Sequence, residues 1–428
     1  MDMQVNPSAL GGTIGAIASK SEAHRLLICA AFADGVTDID CNTTSQDIDA
    51  TAACLRGLGA RVTRTKKGFR VVPAATTARR ALLDCGESGS TMRFLLPVVA
   101  ALGCDASLTG HGRLPERPLS PLYEVLIEHG AELGSQGTVP MPVGGKVSAG
   151  RFEIAGNVSS QYVSGLLMAA PLMDGPVEVF VTEPVESLPY IDITCAALAQ
   201  FGVEVSREKY TQDSVSGLLF RIPAGARYRT PGSVRVGGDW SNAAFWLAAG
   251  ALFEGGITVE GVDMRSTQGD RAILGALALL GARVERGARS VTVRPDRLKG
   301  CRLDVSSCPD LVPPLAAMAA CAQGQTTIVG AARLRIKESD RLQTVKDAVN
   351  ALGGHVEQTN DGLVIDGVDT LTGGEVDAAN DHRIAMMAAI LAASAQAPTT
   401  IRGAQCVAKS YPAFFEDLRA LGGSCQEV

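Results

Sequence analysis

Groups suited to holding anions recur along this chain where short apolar segments begin. The first is Ser19-Lys20-Ser21-Glu22-Ala23-His24-Arg25, which runs into Leu26-Leu27-Ile28. Ser19 followed by Glu22 forms a capping box, so a helix begins here. A helix start offers unpaired N–H groups and a positive dipole end. With Lys20, Ser21 and Arg25 beside it, such a start suits a phosphate or carboxylate. In Gly86-Glu87-Ser88-Gly89-Ser90-Thr91-Met92-Arg93, Gly89 permits close backbone approach to a ligand, and Ser90 and Thr91 are candidate caps. No Gly-Lys-Ser/Thr follows, so this is not a Walker A loop. Arg117 precedes Pro118, which drives it to extended backbone and makes it either an anion fork or a solvated loop arginine. Ser159-Ser160-Gln161 supplies three polar side chains where capping needs one, and Ser187 and Tyr190 open the next helix.

Two acidic positions stand out. Asp310, before Leu311-Val312-Pro313-Pro314, reads as an ordinary N-cap or as a general base. If helical, Arg335-Ile336-Lys337-Glu338-Ser339-Asp340-Arg341, at a helix start, would put Lys337, Glu338 and Arg341 on one face. The ordinary meaning of such a charge run is a solvated, salt-bridged surface. Asn380-Asp381-His382-Arg383 and Ala408-Lys409-Ser410-Tyr411-Pro412 occupy the corresponding junctions further on.

The elements that must position these groups repeat. Gly59, Gly130, Gly202, Gly281, Gly353 and Gly422 each close an apolar segment, at spacings of 71, 72, 79, 72 and 69 residues. Glycine suits the left-handed position that ends a helix. A second series of helix starts, Ser21, Ser90, Ser160, Ser241, Asp310 and Asp381, follows with spacings of 69, 70, 81, 69 and 71. Short alternating runs between them read as strands. The chain is therefore six copies of a strand–helix–strand–helix–strand–strand unit. The widest spacing in both series spans the Pro- and Gly-bearing residues 203–240, which places a junction there. The expected domains are 19–236 and 1–18 plus 237–428, three units each, with hinge crossovers near 18 and 237. The strand near Thr13-Ile14 would then belong with the C-terminal half. Each domain would present three helix starts at one end, and two such ends face to face would line a cleft that a small polyanion draws closed.

Composition narrows the function. A length of 428 residues favours two domains. No apolar run reaches the roughly 18 residues of a membrane span, and the N-terminus has no basic and apolar leader pattern. Eleven cysteines without a CxxC pair read as reduced cytosolic thiols. Five histidines, none spaced for a metal site, imply no metal. A net charge of −6 argues against nucleic acid as a partner.

In order and at these spacings, the motifs resemble the 5-enolpyruvylshikimate-3-phosphate synthase family along essentially the whole chain. The resemblance rests on Ser19-Lys20-Ser21 with Arg25, the Gly86–Arg93 loop, Glu116-Arg117-Pro118, Ser159-Ser160-Gln161, Pro189-Tyr190-Ile191-Asp192-Ile193-Thr194, Lys337–Arg341, Asn380–Arg383 and Ala408-Lys409. It implies an α/β fold of two similar domains, each of three βαβαββ units (an inverse α/β barrel). It also implies transfer of an enolpyruvyl group from phosphoenolpyruvate to the 5-hydroxyl of shikimate 3-phosphate in a cytoplasmic enzyme. No metal or organic cofactor and no membrane partner is implied, and the chain is expected to act as a monomer. By position, Lys20, Ser21, Arg25, Ser159, Ser160, Gln161, Ser187, Asp310 and Lys337 would hold shikimate 3-phosphate. Lys20, Gly89, Arg117, Gln161, Arg341, Arg383 and Lys409 would hold phosphoenolpyruvate. Asp310 and Glu338 would move protons, with Lys20 a third candidate, and Gly89 would leave room beside phosphonate analogues such as glyphosate.

Three positions depart from the family's usual pattern: Ile17-Ala18 in place of Pro-Gly, Glu87 in place of Asn, and Arg333 in place of Asn. UDP-N-acetylglucosamine 1-carboxyvinyltransferase shares the fold and the donor, but it usually carries a reactive Cys or Asp on the loop that here spans 110–118 and has neither. A non-catalytic repeat protein binding a phosphorylated metabolite would not need Asp310 and Glu338 together.

Overall fold

The computed structural model of the chain describes residues 1–75, 78 and 80–428. Among them, six four-stranded sheets form, and each has one parallel and two antiparallel pairings. In the third repeat, strand Arg151–Ala155 pairs in parallel with Val177–Thr182 (Phe152 opposite Val179). The latter pairs antiparallel with Val215–Ile222, whose other neighbour is Ser206–Gln212. Helix Ser160–Ala169 joins the parallel strands and helix Leu188–Gln200 leads into the hairpin. This is the βαβαββ order.

The chain divides into two compact units, Ala18–Val236 and a second built from Met1–Ile17 with Gly237–Val428. Strand pairing explains the split. Gly12–Gly15 pairs in parallel with Ile257–Glu260, and Ser233–Arg235 pairs in parallel with Thr37–Asp40. Met3–Asn6 is inserted antiparallel between Thr399–Arg402 and Ser424–Glu427.

Each unit has three helices packed on one another at its centre. They are Lys20–Ala31, Gly89–Leu102 and Ser160–Ala169 in one unit, and Trp240–Leu252, Val312–Ala320 and His382–Ser394 in the other. These helices are apolar on nearly every face, as burial on all sides requires. Small residues let them approach closely: a Cβ at Gly165 would lie 2.5 Å from the carbonyl oxygen of Arg93 on the neighbouring helix. The six repeating glycines all take positive φ, between 75° and 106°.

Three expectations about helix starts are corrected. The capping side chains are Ser19, Ser88, Ser159, Asp239 and Asp381, so Ser21, Ser90, Ser160 and Ser241 lie inside the first turn. Asp310 is not the cap residue of the helix it precedes. It sits in a 3-10 turn, Pro309–Leu311, ahead of helix Val312–Ala320. Pro313 and Pro314 take the positions whose N–H groups a cap would satisfy, and proline has none. The run 335–341 is not one helix face either. A 3-10 turn ends at Ile336, Lys337 is extended (φ −88°, ψ −157°), and the helix begins only at Arg341 with Asp340 as its cap.

His24 lies in the first of the central helices with no exposed surface. Its Nδ1 meets Thr51 Oγ1 at 2.7 Å, and the chain continues through Thr91 Oγ1 (2.6 Å) to the cap hydroxyl of Ser88 (2.8 Å). Burial, with Lys20 and Arg25 nearby, lowers its pKa well below the ordinary 6.5. The native state therefore refuses a proton that the unfolded chain accepts. Stability of the Ala18–Val236 unit is predicted to fall as pH drops below 6.5, by up to about 1.4 kcal/mol per pH unit from this residue. Urea midpoints recorded from pH 7.5 to 5 in wild type and His24→Asn check this. The variant should show the shallower slope, and equal slopes would remove His24 as the cause.

Candidate active site

In the unit Met1–Ile17/Gly237–Val428 a buried polar cluster surrounds Arg341. Its side chain is 2% exposed and meets three carboxylates. Nε donates to Asp381 Oδ2 at 2.7 Å, Nη1 to Asp310 Oδ1 at 2.9 Å, and Nη2 to Glu338 Oε2 at 2.6 Å. Arg383 completes the group: its Nη2 donates to Asp310 Oδ2 (2.9 Å) and to Ser241 Oγ (3.1 Å), and its Nη1 to the Asp310 carbonyl (3.2 Å). The starts of helices Trp240–Leu252, Val312–Ala320 and His382–Ser394 thus meet at one point, through Ser241, Asp310 and Arg383.

Burial works against the charge on Asp310, but Arg383, Lys337 and Arg341 outweigh it and hold the carboxyl far below its usual range. Burial likewise opposes the charge on Arg341, and Asp381, Glu338 and Asp310 more than restore it. Lys409, at the end of the 3-10 segment Ala404–Lys409, donates to the Asn380 carbonyl at 2.6 Å. Ala379 and Asn380 both take positive φ (50° and 53°), turning the chain into the Asp381 cap.

In the unit Ala18–Val236 the starts of the central helices also converge. Arg25 is buried over the Phe94 ring (4.7 Å) and spends four of its five N–H groups on Thr194, Ser164 and the carbonyls of Ser21 and Tyr190. Desolvation lowers its pKa to about 10. Lys20 Nζ pairs with Asp47 Oδ2 at 2.7 Å. Gln161 accepts from Arg93 Nη1 (2.9 Å) and donates to Ser90 Oγ (2.9 Å), an arrangement that fixes which way its amide points. Arg93 also donates to the Pro118 carbonyl (3.0 Å), next to Arg117. Arg117 is extended (φ −74°, ψ 129°), and a Cβ at Gly89 would lie 2.7 Å from its Nη1. The space over Gly89 is therefore filled by the Arg117 guanidinium, not left open. Ser159 caps its helix, Ser160 follows it in the first turn, and Ser187 holds a left-handed turn (φ 53°) before helix Leu188–Gln200.

The same family emerges from comparison with known proteins. Residues 5–418 match the model of the family described as EPSP synthase (3-phosphoshikimate 1-carboxyvinyltransferase). The chain belongs to the EPSP synthase family. Relatives named 3-phosphoshikimate 1-carboxyvinyltransferase include those of Clostridium kluyveri (40% identical, covering 99% of this chain and 98% of that protein) and Clostridium acetobutylicum (38%, covering 99% and 98%). Among solved structures, EPSP synthase from Acinetobacter baumannii superposes with a TM-score of 0.79 at 28% identity over the full length of both chains. The enolpyruvyl transferase NikO from Streptomyces tendae, 19% identical with a TM-score of 0.77, shares the fold.

Within this EPSP synthase family framework, two of the departures acquire local explanations. Arg333 donates to the Ser306 carbonyl at 2.8 Å. The Glu87 carboxylate packs so closely on Gly112 (φ +56°) that a Cβ there would collide with it. Ile17 and Ala18 fall on either side of the boundary between the units.

Asp47 has no place among the sequence motifs, and Asp381 reads in sequence as a helix start, which it is, with no sign of its pairing to Arg341. Asp47 follows the Ser45 cap in an acidic first turn, a pattern that helix-dipole preference explains by itself. Asp381 doubles as a helix cap, accepting from the Arg383 N–H at 3.0 Å, and as the fully buried partner of Arg341. Replacing it with Asn leaves a buried guanidinium short of a counter-charge, so Asp381→Asn is predicted to destabilise this unit by about 3 kcal/mol. Denaturant titration measures the loss; a change under about 1 kcal/mol would show the anchor to be dispensable.

Proposed function

We propose that the protein transfers the enolpyruvyl group of phosphoenolpyruvate to the 5-hydroxyl of shikimate 3-phosphate and releases phosphate. The observation that carries this reading is the joining of Asp310 and Glu338, the two proposed proton carriers, through Arg341 within a family-matched chain. Lys20, Ser21, Arg25, Ser159, Ser160, Gln161, Ser187, Asp310 and Lys337 bind shikimate 3-phosphate. Lys20, Gly89, Arg117, Gln161, Arg341, Arg383 and Lys409 bind phosphoenolpyruvate. Both substrates are anions, and the Lys and Arg set offsets their mutual repulsion while it orients them.

Asp310 takes the proton of the 5-hydroxyl as that oxygen attacks the carbon bearing the phosphate. The donor's methylene carbon gains a proton from Glu338, with the Lys20 ammonium the alternative source. The product of addition is a tetrahedral phospho-ketal, and the surrounding cations stabilise its charges. Loss of a methyl proton to Glu338 and departure of phosphate, which carries away the proton held by Asp310, complete the transfer. The protein works as a monomer in the cytoplasm, without a metal or organic cofactor. Among the described residues, no helix is long and apolar enough to cross a membrane.

Phosphate release with phosphoenolpyruvate plus either shikimate 3-phosphate or UDP-N-acetylglucosamine tests the acceptor. Turnover is expected with the first alone. Glu338→Gln and Asp310→Asn should each lower kcat at least ~100-fold, within the usual worth of acid–base catalysis; wild-type turnover in either variant removes that residue from the chemistry. Gly89→Ala presses on the Arg117 guanidinium, so it should raise both the KM for phosphoenolpyruvate and the inhibition constant for glyphosate. Unchanged constants would refute the contact as a determinant of donor binding.

A further inference from the structure

Arg341 and Arg383 hold conflicting appointments. The function proposed above has both of them bind the donor, yet both are engaged by Asp310, one on each carboxylate oxygen at 2.9 Å. The conflict extends to Asp310 itself. A carboxylate whose two oxygens each accept a charge-assisted bond from a guanidinium is a poor proton acceptor. So the proposed base cannot work well in the arrangement observed, and the proposed donor ligands have few N–H groups to offer.

The network has one half built to stay and one half able to part. Asp381, with no exposed side-chain surface, holds the Nε edge of Arg341 and accepts from Ser339 Oγ (2.9 Å) and the Arg383 N–H (3.0 Å). Asp310 and Glu338 keep 18% of their side-chain surface exposed. An incoming anion can reach the Asp310 and Glu338 side of the guanidinium but not the Asp381 side.

We propose that Asp310 is a built-in place-holder: phosphoenolpyruvate displaces its carboxylate from Arg341 and Arg383, and that exchange is what frees Asp310 to act as a base. This rests on the function proposed above. The charged groups facing Asp310 are Arg383 from helix His382–Ser394, Arg341 from helix Arg341–Ala351, and Lys337 and Glu338 from the segment before it. The thiol of Cys308 is neutral, its pKa pushed up to about 12 by burial. After the exchange Lys337 still faces Asp310, while the carboxylate loses the two guanidinium bonds that hold its lone pairs. Base strength thus becomes conditional on the donor being in place. The cost is donor affinity, because the empty site is already satisfied by the protein's own carboxylate.

That cost gives the test. Asp310→Asn removes the competing charge and releases for the donor the Arg341 Nη1 and Arg383 Nη2 donors that Asp310 holds. Titration calorimetry with phosphoenolpyruvate alone should give a Kd at least about 10-fold lower than wild type, as expected when the binding-competent arrangement is a minor population. Phosphate release should fall in the same variant. Glu338→Gln, which touches Arg341 but not Arg383, should tighten donor binding less. A purely catalytic Asp310 predicts an unchanged Kd, and a purely structural one predicts a higher Kd; either result overturns the place-holder. Thermal melts establish that Asp310→Asn is folded, and Asp310→Ser supplies the same measurement if it is not. Wild-type protein that releases no phosphate with shikimate 3-phosphate present would overturn the proposed function, and the place-holder with it. Normal wild-type release with no gain in affinity overturns the place-holder alone.

Discussion

A buried guanidinium must be surrounded by negative charge or it will not stay buried. Arg341 meets this demand with three carboxylates drawn from three parts of the chain: the turn before helix Val312–Ala320, the extended segment after Ile336, and the cap of helix His382–Ser394. Much of the second unit's architecture can be understood from that requirement. Asp310 stands in a 3-10 turn instead of capping a helix, and so its carboxylate is available to Arg341 and Arg383. Residues 337–340 leave the helical path, which brings Glu338 back onto the first residue of the helix it precedes.

The other unit meets its electrostatic demand differently. Arg25 is satisfied mostly by neutral oxygens and by the face of Phe94. Its charge is not cancelled, and desolvation lowers its pKa. The surroundings of Arg25 and Arg341 thus carry opposite electrostatic strategies. One places a cation among dipoles and hydroxyls, where an anionic ligand would relieve it; the other balances cations with carboxylates. The same small-residue helix packing supports both, since alanine- and glycine-rich surfaces bring helix starts close enough to share hydrogen bonds.

The repeat was legible because its signals are local. A glycine that closes a helix in the left-handed region is required whatever the surroundings, and the period near 70 residues follows from six of them. Cap positions were less legible: Ser-x-Ser and Asp-x-Ser pairs offer two candidates each, and the choice of Ser88 over Ser90 or Asp239 over Ser241 depends on how the preceding strand delivers the chain. The helical reading of Lys337–Arg341 failed because charge spacing was compatible with a helix whose start is set by Asp340.

The sequence alone determined the unit, its sixfold recurrence and the residue types that suit two anionic substrates, since these depend on propensity and on spacing along the chain. Tertiary structure decided which strand completes which sheet, placing Met3–Asn6 and Gly12–Gly15 with partners hundreds of residues away. It also decided which carboxylate meets which guanidinium. Charges attract without regard to sequence distance, so Asp310, Glu338 and Asp381 become rivals for Arg341 only after folding has set them within 3 Å of it.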